Sequence, residues 1–133
     1  MVLFGAVLIG IDQAAKYLVY SKHFGSFLLR LRPVFSLLIF PNPNFAFSLR
    51  VPIILTYLIY AILLALLIIW FYKVENKSLH LKIGLALILA GAFSNIFDRV
   101  YLGYVRDFIY VFWGNIFNLA DLYIVLGIIL MIL

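Results

Sequence analysis

Polar residues gather at a few places along this chain, and the apolar runs between them approach the length that lipid requires. A helix needs about 20 predominantly apolar residues to cross the hydrocarbon core. Val2–Tyr20 is one candidate span, interrupted by Asp12 and Lys16. Val51–Tyr72 is uncharged, with Trp70 and Tyr72 at its end as an interfacial anchor. Leu81–Val100 carries Asn95, Asp98 and Arg99 in its last turns, and Ile116–Leu133 carries Asn118 and Asp121 in its first turns. Four spans put both termini on one side. The period changes in the long connection 21–50. Leu29-Arg30-Leu31-Arg32 alternates with period two, and Val34–Phe40 is rich in β-branched and aromatic residues, so both read as short strands. Pro33, Pro41 and Pro43 punctuate them. Lys73–Leu81 reads as a polar turn, and Val105–Asn115 as a link between spans three and four. The predicted fold is an all-α membrane protein of four transmembrane helices in a single domain, 1–133, with a small β-sheet cradle from the first long loop lying on the membrane.

Composition agrees. Hydrophobic residues make up 68% and charged residues 11%, against about 45–50% and roughly 25% in soluble domains. Too little polar surface remains to cover a soluble globule. The net charge of +5 is spread along the chain, which suits lipid headgroups and not nucleic acid. Cysteine is absent, so thiol and disulfide chemistry are excluded. His23 and His80 both lie outside the acidic cluster, so no metal site and no cofactor are expected. The first twenty residues lack a basic start, and Asp12 and Lys16 break the run, so they read as a membrane helix and not as a cleavable signal.

The chemistry concentrates between Gly91 and Asp121, which holds three of the five acidic residues. An ionisable group inserted into hydrocarbon costs about 2.5–3.5 kcal/mol, so its presence points to function. Asp107 and Asp121 flank the entry to the fourth span and can face one interfacial cleft. Two close carboxylates cannot both ionise, so a pair supplies a general base and a general acid without a metal. The plainer reading is two solvated helix-end acids, with Asp121 suited to a helix dipole. Asn95 shares a helix face with Asp98 and Arg99. Arg99 is placed to meet Asp98 or a substrate carbonyl or phosphate, and Asp98 rivals Asp107 for a reacting role. Asn118 either holds a substrate backbone or caps the fourth helix. Asp12 and Lys16, four apart with the acid first, suit a pair that fixes helix packing; a lipid-phosphate contact for Lys16 is the functional alternative.

Five blocks, Asp12–Lys16, Asn42–Phe47, Ala90–Arg99, Gly103–Phe108 and Phe117–Asp121, taken together resemble the lipoprotein signal peptidase (signal peptidase II) family of aspartic endopeptidases. Its D-Q-x-x-K is matched by Asp12-Gln13-Ala14-Ala15-Lys16, and its N-x-G-A-A-F by Asn42-Pro43-Asn44-Phe45-Ala46-Phe47. Its G-G-A-x-G-N-x-x-D-R is matched by Ala90–Arg99, its G-x-V-V-D-F by Gly103–Phe108, and its F-N-x-A-D by Phe117–Asp121. The resemblance implies Asp107 and Asp121 as the catalytic pair, with Asp12, Lys16, Asn42, Asn95, Asp98, Arg99 and Asn118 supporting them or the substrate. It implies diacylglyceryl-modified prolipoproteins as substrates, cut before the lipidated cysteine, with membrane lipids as surroundings. It places the chain in the bacterial inner membrane, with termini in the cytoplasm and the active site on the extracytoplasmic surface. Lysine and arginine counting alone would put the acidic cluster inside. Ala90, Asn44, Phe45, Ser94 and Arg106 depart from the pattern. Ser94 and Ala90 stand where glycines would let helices pack closely, Phe45 would narrow the cleft, and Arg106 would lower the pKa of Asp107 if it pointed the same way. The rival classes are a proton- or cation-coupled transporter or channel subunit, and a non-catalytic relative that binds lipoprotein precursors.

Overall fold

The computed structural model describes residues 1–21, 35–43, 52–74, 78–111 and 116–133. In chain order they form α1 (Val2–Tyr20), β1 (Phe35–Asn42), α2 (Ile53–Lys73), α3 (Leu79–Leu102), β2 (Val105–Val111), β3 (Ile116–Phe117) and α4 (Leu119–Ile132). Three of the helices, α1, α2 and α3, are long and apolar enough to cross a membrane. The fourth is equally apolar, but its 14 residues reach only about 21 Å at 1.5 Å per residue. The fourth element therefore begins later than the hydrophobic run. Ile116 and Phe117 are drawn into pairing with β2, and Asn118 then caps the helix.

The sheet also differs from the expected one. It is antiparallel, in the order β1-β2-β3, and two of its strands follow α3 instead of lying in the first long loop. Arg106 and Asp107 side by side break the alternation that marks a strand, which hid β2 in the sequence. Phe108-Ile109-Tyr110-Val111 is nevertheless β-favouring, and a strand forms there. Val34–Phe40 falls largely within β1 as read, whereas Leu29–Arg32, Asn44 and Phe45 lie outside the described residues.

One irregularity in the sheet matters for the site. Leu37 pairs with Ile109, but Phe40 pairs with Asp107, so β1 carries one extra residue between them. A one-residue slip turns every later side chain to the other face. The bulge therefore puts Asn42, opposite Val105, on the same face as Asp107, a diagonal neighbour.

The sheet packs on the end of α1. Val19, Phe108 and Ile109 form a buried cluster there, with Ala15, Tyr20, Leu37, Phe117 and Leu119 against it. The pair α3–α4 is joined more closely. A methyl group on Gly91 would run into the carbonyl oxygen of Ala120, and Gly84 and Gly127 each face the other's carbonyl. In lipid, where apolar contact alone gives no drive to associate, small residues let helix backbones approach. At the far end of α3, Gly103 adopts φ +81°, the left-handed geometry that closes a helix, and the chain turns into β2. Asp98 at the end of α3 and Asp107 in β2 are thereby brought to one side of the molecule.

Candidate active site

Asn118 is the pivot of the site. It has extended backbone and stands before α4. Its Oδ1 accepts from the Asp121 N–H at 3.0 Å, and its own N–H donates to Asp121 Oδ2 at 3.2 Å. This reciprocal capping box occupies the oxygen of the amide and leaves the Nδ2 group free. That group donates to Asp107 Oδ1 at 2.7 Å and to Asn95 Oδ1 at 3.1 Å. One residue thus touches both candidate carboxylates. Asn42 donates to Asp107 Oδ2 at 2.8 Å, and Asn95 donates to Asp121 Oδ1 at 2.8 Å. Tyr20 donates its hydroxyl to the backbone carbonyl of Asp107 at 3.1 Å, tying β2 to α1. Asp107 is buried, 2% exposed, and Asp121 is partly open. Burial pushes the Asp107 carboxyl up to about 6; the Asn42 N–H works against this, and the nearby Asp121 charge works with it.

Beneath these groups lies a layer of full charges. Lys16 and Asp12 are completely buried and 2.7 Å apart, and Lys16 is also 3.2 Å from Asp98 Oδ2 and 3.0 Å from Asn95 Oδ1. Asp12 further accepts from Ser94 Oγ at 2.6 Å and from the Ala120 N–H at 3.0 Å. Asp98, also fully buried, receives a forked arginine: Arg106 Nη2 at 2.7 Å from Oδ1 and Nε at 3.3 Å from Oδ2, with the Arg106 backbone N–H at 3.1 Å. Gln13 joins the layer, donating to Ser94 Oγ and Asp98 Oδ1 and accepting from Arg106.

Each residue named as catalytic or supporting falls in or beside these two layers, but four expectations change. Lys16 is 0% exposed and wholly occupied by protein partners, so it cannot meet a lipid phosphate; the packing alternative holds. Arg106 does not act on Asp107. Neighbouring strand residues point to opposite faces, and Arg106 turns to Asp98 and Gln13. Asp98 is bridged by Arg106 and Lys16 and enclosed, which makes it a poor rival to Asp107, whereas Arg99 lies with its guanidinium carbon 5.5 Å from the Tyr60 ring centroid. Ser94 does more than keep helices close, since its hydroxyl is a buried donor to Asp12. Gln13 and Tyr20 were missed. Gln13 lies within the Asp12–Lys16 block, but its partners Ser94, Asp98 and Arg106 are distant in sequence; Tyr20 leaves no signal, because its contact is to backbone brought near by folding.

A family model described as signal peptidase (SPase) II matches residues 4–133. The chain belongs to the signal peptidase II family. It is similar to the lipoprotein signal peptidase of Streptococcus thermophilus, with 38% identity over 95% of this chain and 85% of the relative. It is 39% identical to that of Bartonella henselae, over 98% and 85%, and 37% identical to that of Enterococcus faecalis, over 96% and 81%. Two solved structures, each described as a bacterial membrane enzyme, share its fold. One matches with a TM-score of 0.82 and 27% identity over 98% of this chain and 84% of the other. The second gives 0.81 and 28% over 98% and 88%. Ser94 and Arg106 meet through Gln13 in the charged layer and stay clear of the two upper carboxylates.

Proposed function

We propose that this chain is a membrane aspartic endopeptidase that removes signal peptides from prolipoproteins, cutting on the amino side of a diacylglyceryl-modified cysteine. The observation that carries this reading is Asn118 donating to Asp107 while locked in a reciprocal box with Asp121. It holds two carboxylates beside one another, and among the described residues each receives its hydrogen bonds from neutral N–H groups. Such a pair retains one proton, and it titrates as a unit. The ionised partner takes a proton from water as the oxygen attacks the scissile carbonyl carbon. The protonated partner donates to the carbonyl oxygen; as the C–N bond breaks, the proton gained from water goes to the leaving amine and one hydroxyl of the tetrahedral intermediate returns its proton to the second carboxylate, restoring the pair. Asn42, Asn95 and Asn118 orient the pair, and Arg99 stands at its flank for the peptide backbone or lipid.

The remaining features fit this reading. One domain with four spans carries the site, with α4 as the fourth. The sheet lies on the extracytoplasmic surface of the bacterial inner membrane, and the termini are cytoplasmic. An acyl-bearing substrate stays in the bilayer, which raises its concentration at such a site.

The test is cleavage of a lipid-modified precursor in detergent by the unaltered protein and by Asp107→Asn and Asp121→Asn. Both variants are expected to lose turnover. Full cleavage by either sinks the pair, and loss with Asp98→Asn alone would transfer the role to Asp98. Binding of precursor without single-turnover cleavage by the unaltered protein would favour a non-catalytic relative, and a gradient-dependent flux without cleavage would favour a transporter.

A further inference from the structure

Two of this chain's departures from its family pattern meet one side chain. Arg106 donates to Gln13 Oε1, and Gln13 Nε2 donates to Ser94 Oγ at 2.9 Å and to Asp98 Oδ1 at 3.0 Å. We infer that Arg106 is a positioning residue for the proposed reaction, which takes over part of the charge of Asp98 that Lys16 alone would otherwise balance, so that Lys16 can also orient the amide of Asn95 toward Asp121.

The charges force this division of labour. Asp12 and Asp98 are both 0% exposed, and Lys16 lies between them, also 0% exposed. With Lys16 as the one cation, two buried carboxylates would compete for it, leaving a net negative charge in a medium that punishes unpaired charge. Arg106, with its side chain only 13% exposed, makes the layer two against two. It grips both oxygens of Asp98 in a forked geometry, the strong form of an arginine–carboxylate pair. Lys16 then has Asp98 as its most distant partner, at 3.2 Å, behind Asp12 at 2.7 Å and Asn95 at 3.0 Å.

What Lys16 does at Asn95 follows from its chemistry. An ammonium group only donates, so it must face the oxygen of the Asn95 amide. The nitrogen of that amide is thereby turned to Asp121 Oδ1 at 2.8 Å. The same oxygen also takes the Asn118 Nδ2 group at 3.1 Å, which aligns the donor serving Asp107. A lysine displaced toward Asp98 would leave the Asn95 amide free to flip and present its oxygen to a carboxylate. Arg106 makes no side-chain contact with either acid of the upper pair among the described residues and reaches Asp121 through Asp98, Lys16 and Asn95, which is why it belongs with the positioning residues.

This inference rests on the endopeptidase reading, and two readouts keep them separable. The first is cleavage of a lipid-modified precursor by Arg106→Val and Arg106→Lys. The valine variant should lose about tenfold in kcat with KM unchanged, a coupling typical of residues in one network, and the lysine variant should recover most of it. The second needs no substrate: in protein labelled with 15N-asparagine in detergent micelles, the side-chain amide signal of Asn95, assigned by its loss in Asn95→Asp, should move in Arg106→Val and return in Arg106→Lys. If the valine variant does not fold, Arg106→Gln takes its place, keeping a donor without the charge, with the same expected losses. An unmoved Asn95 signal, or a kcat equal to that of the unaltered protein, overturns the inference. Absence of cleavage by the unaltered protein overturns the endopeptidase reading, and the amide signal then decides the inference alone.

Discussion

Replacing Asp107 by Asn should change the stability of this protein in a manner that reverses sign with pH. Burial raises the proton affinity of this carboxyl from the ordinary value of 3.8 to about 6. The folded state thus holds the proton more tightly than the unfolded one. Linkage then requires stability to fall as pH rises from about 4 to about 6, and to stay lowered above that window. Two pH units at about 1.36 kcal/mol each give a penalty of about 3 kcal/mol at pH 8. Asparagine removes it because it does not ionise. It also introduces a cost: one end of the new amide must present N–H to Asn42 or Asn118, which themselves present N–H groups to Asp107, and a mismatched buried polar pair costs about 1–2 kcal/mol. The variant should therefore be about 1–2 kcal/mol more stable at pH 8 and less stable by a similar amount at pH 4. At roughly 4 °C per kcal/mol, the melting temperature in detergent should rise by about 4–8 °C at the higher pH and fall at the lower. The unaltered protein measured alongside cancels the titration of groups not coupled to Asp107, leaving Asp121 as the one acid whose titration changes with it. A difference in melting temperature that is constant from pH 4 to pH 8 would refute both the burial argument and the assignment of the charge to Asp107.

Four further outcomes follow from the same contacts. Asn118→Ala should abolish cleavage and lower stability by about 1–2 kcal/mol from the lost cap, read by precursor turnover and melting temperature. Lys16→Met leaves Asp12 and Asp98 without their shared cation, so a loss of about 3–5 kcal/mol is expected, seen as little folded protein recovered in detergent. Gly91→Leu should separate α3 from α4 and cost more than Gly5→Leu, where a side chain meets nothing; thermal unfolding of the two variants compares them. Ser94→Gly and Arg106→Val should be non-additive by more than about 0.5 kcal/mol in a double-mutant cycle, because Gln13 touches both; simple addition would show that the two departures are independent.

The helices were legible because lipid imposes a simple rule of length and apolarity, and α1, α2 and α3 obey it within two residues at each end. The start of α4 was not, because hydropathy runs through Ile116 and Phe117 without a break, and only strand pairing and the Asn118 box set the boundary. The strand β2 was hidden by Arg106 and Asp107, whose side chains leave on opposite faces for different partners; adjacent polar residues look like a loop until those partners are known. The candidate site residues could be named from five spaced blocks. Their arrangement was not. Asp98 and Asp107 both sat at the edge of an apolar run, and no spacing could say that one meets an arginine fork and the other only amides. The face on which Asn42 emerges depended on a bulge, which has no signature in Phe35–Asn42.

The separation of charged from neutral partners gives the fold its chemical logic. Asp98 and Asp107 are nine residues apart, and both are almost fully buried. The first receives Arg106 and Lys16, and the second receives the side-chain amides of Asn42 and Asn118. A cation beside a carboxylate fixes it in the ionised form, which suits a scaffold and disables a proton carrier. Neutral N–H donors hold a carboxylate in place while leaving its proton affinity under the control of burial and of the other acid. Had β2 been offset by one residue, Arg106 would have faced the pair and Asp107 the ionic layer, with the same composition and the reverse chemistry. The strand's alternation, pinned by the bonds of Arg106 to Asp98 and of Tyr20 to the Asp107 backbone, is therefore what lets one short segment serve both a charge-balanced support and a pair of acids able to share a proton.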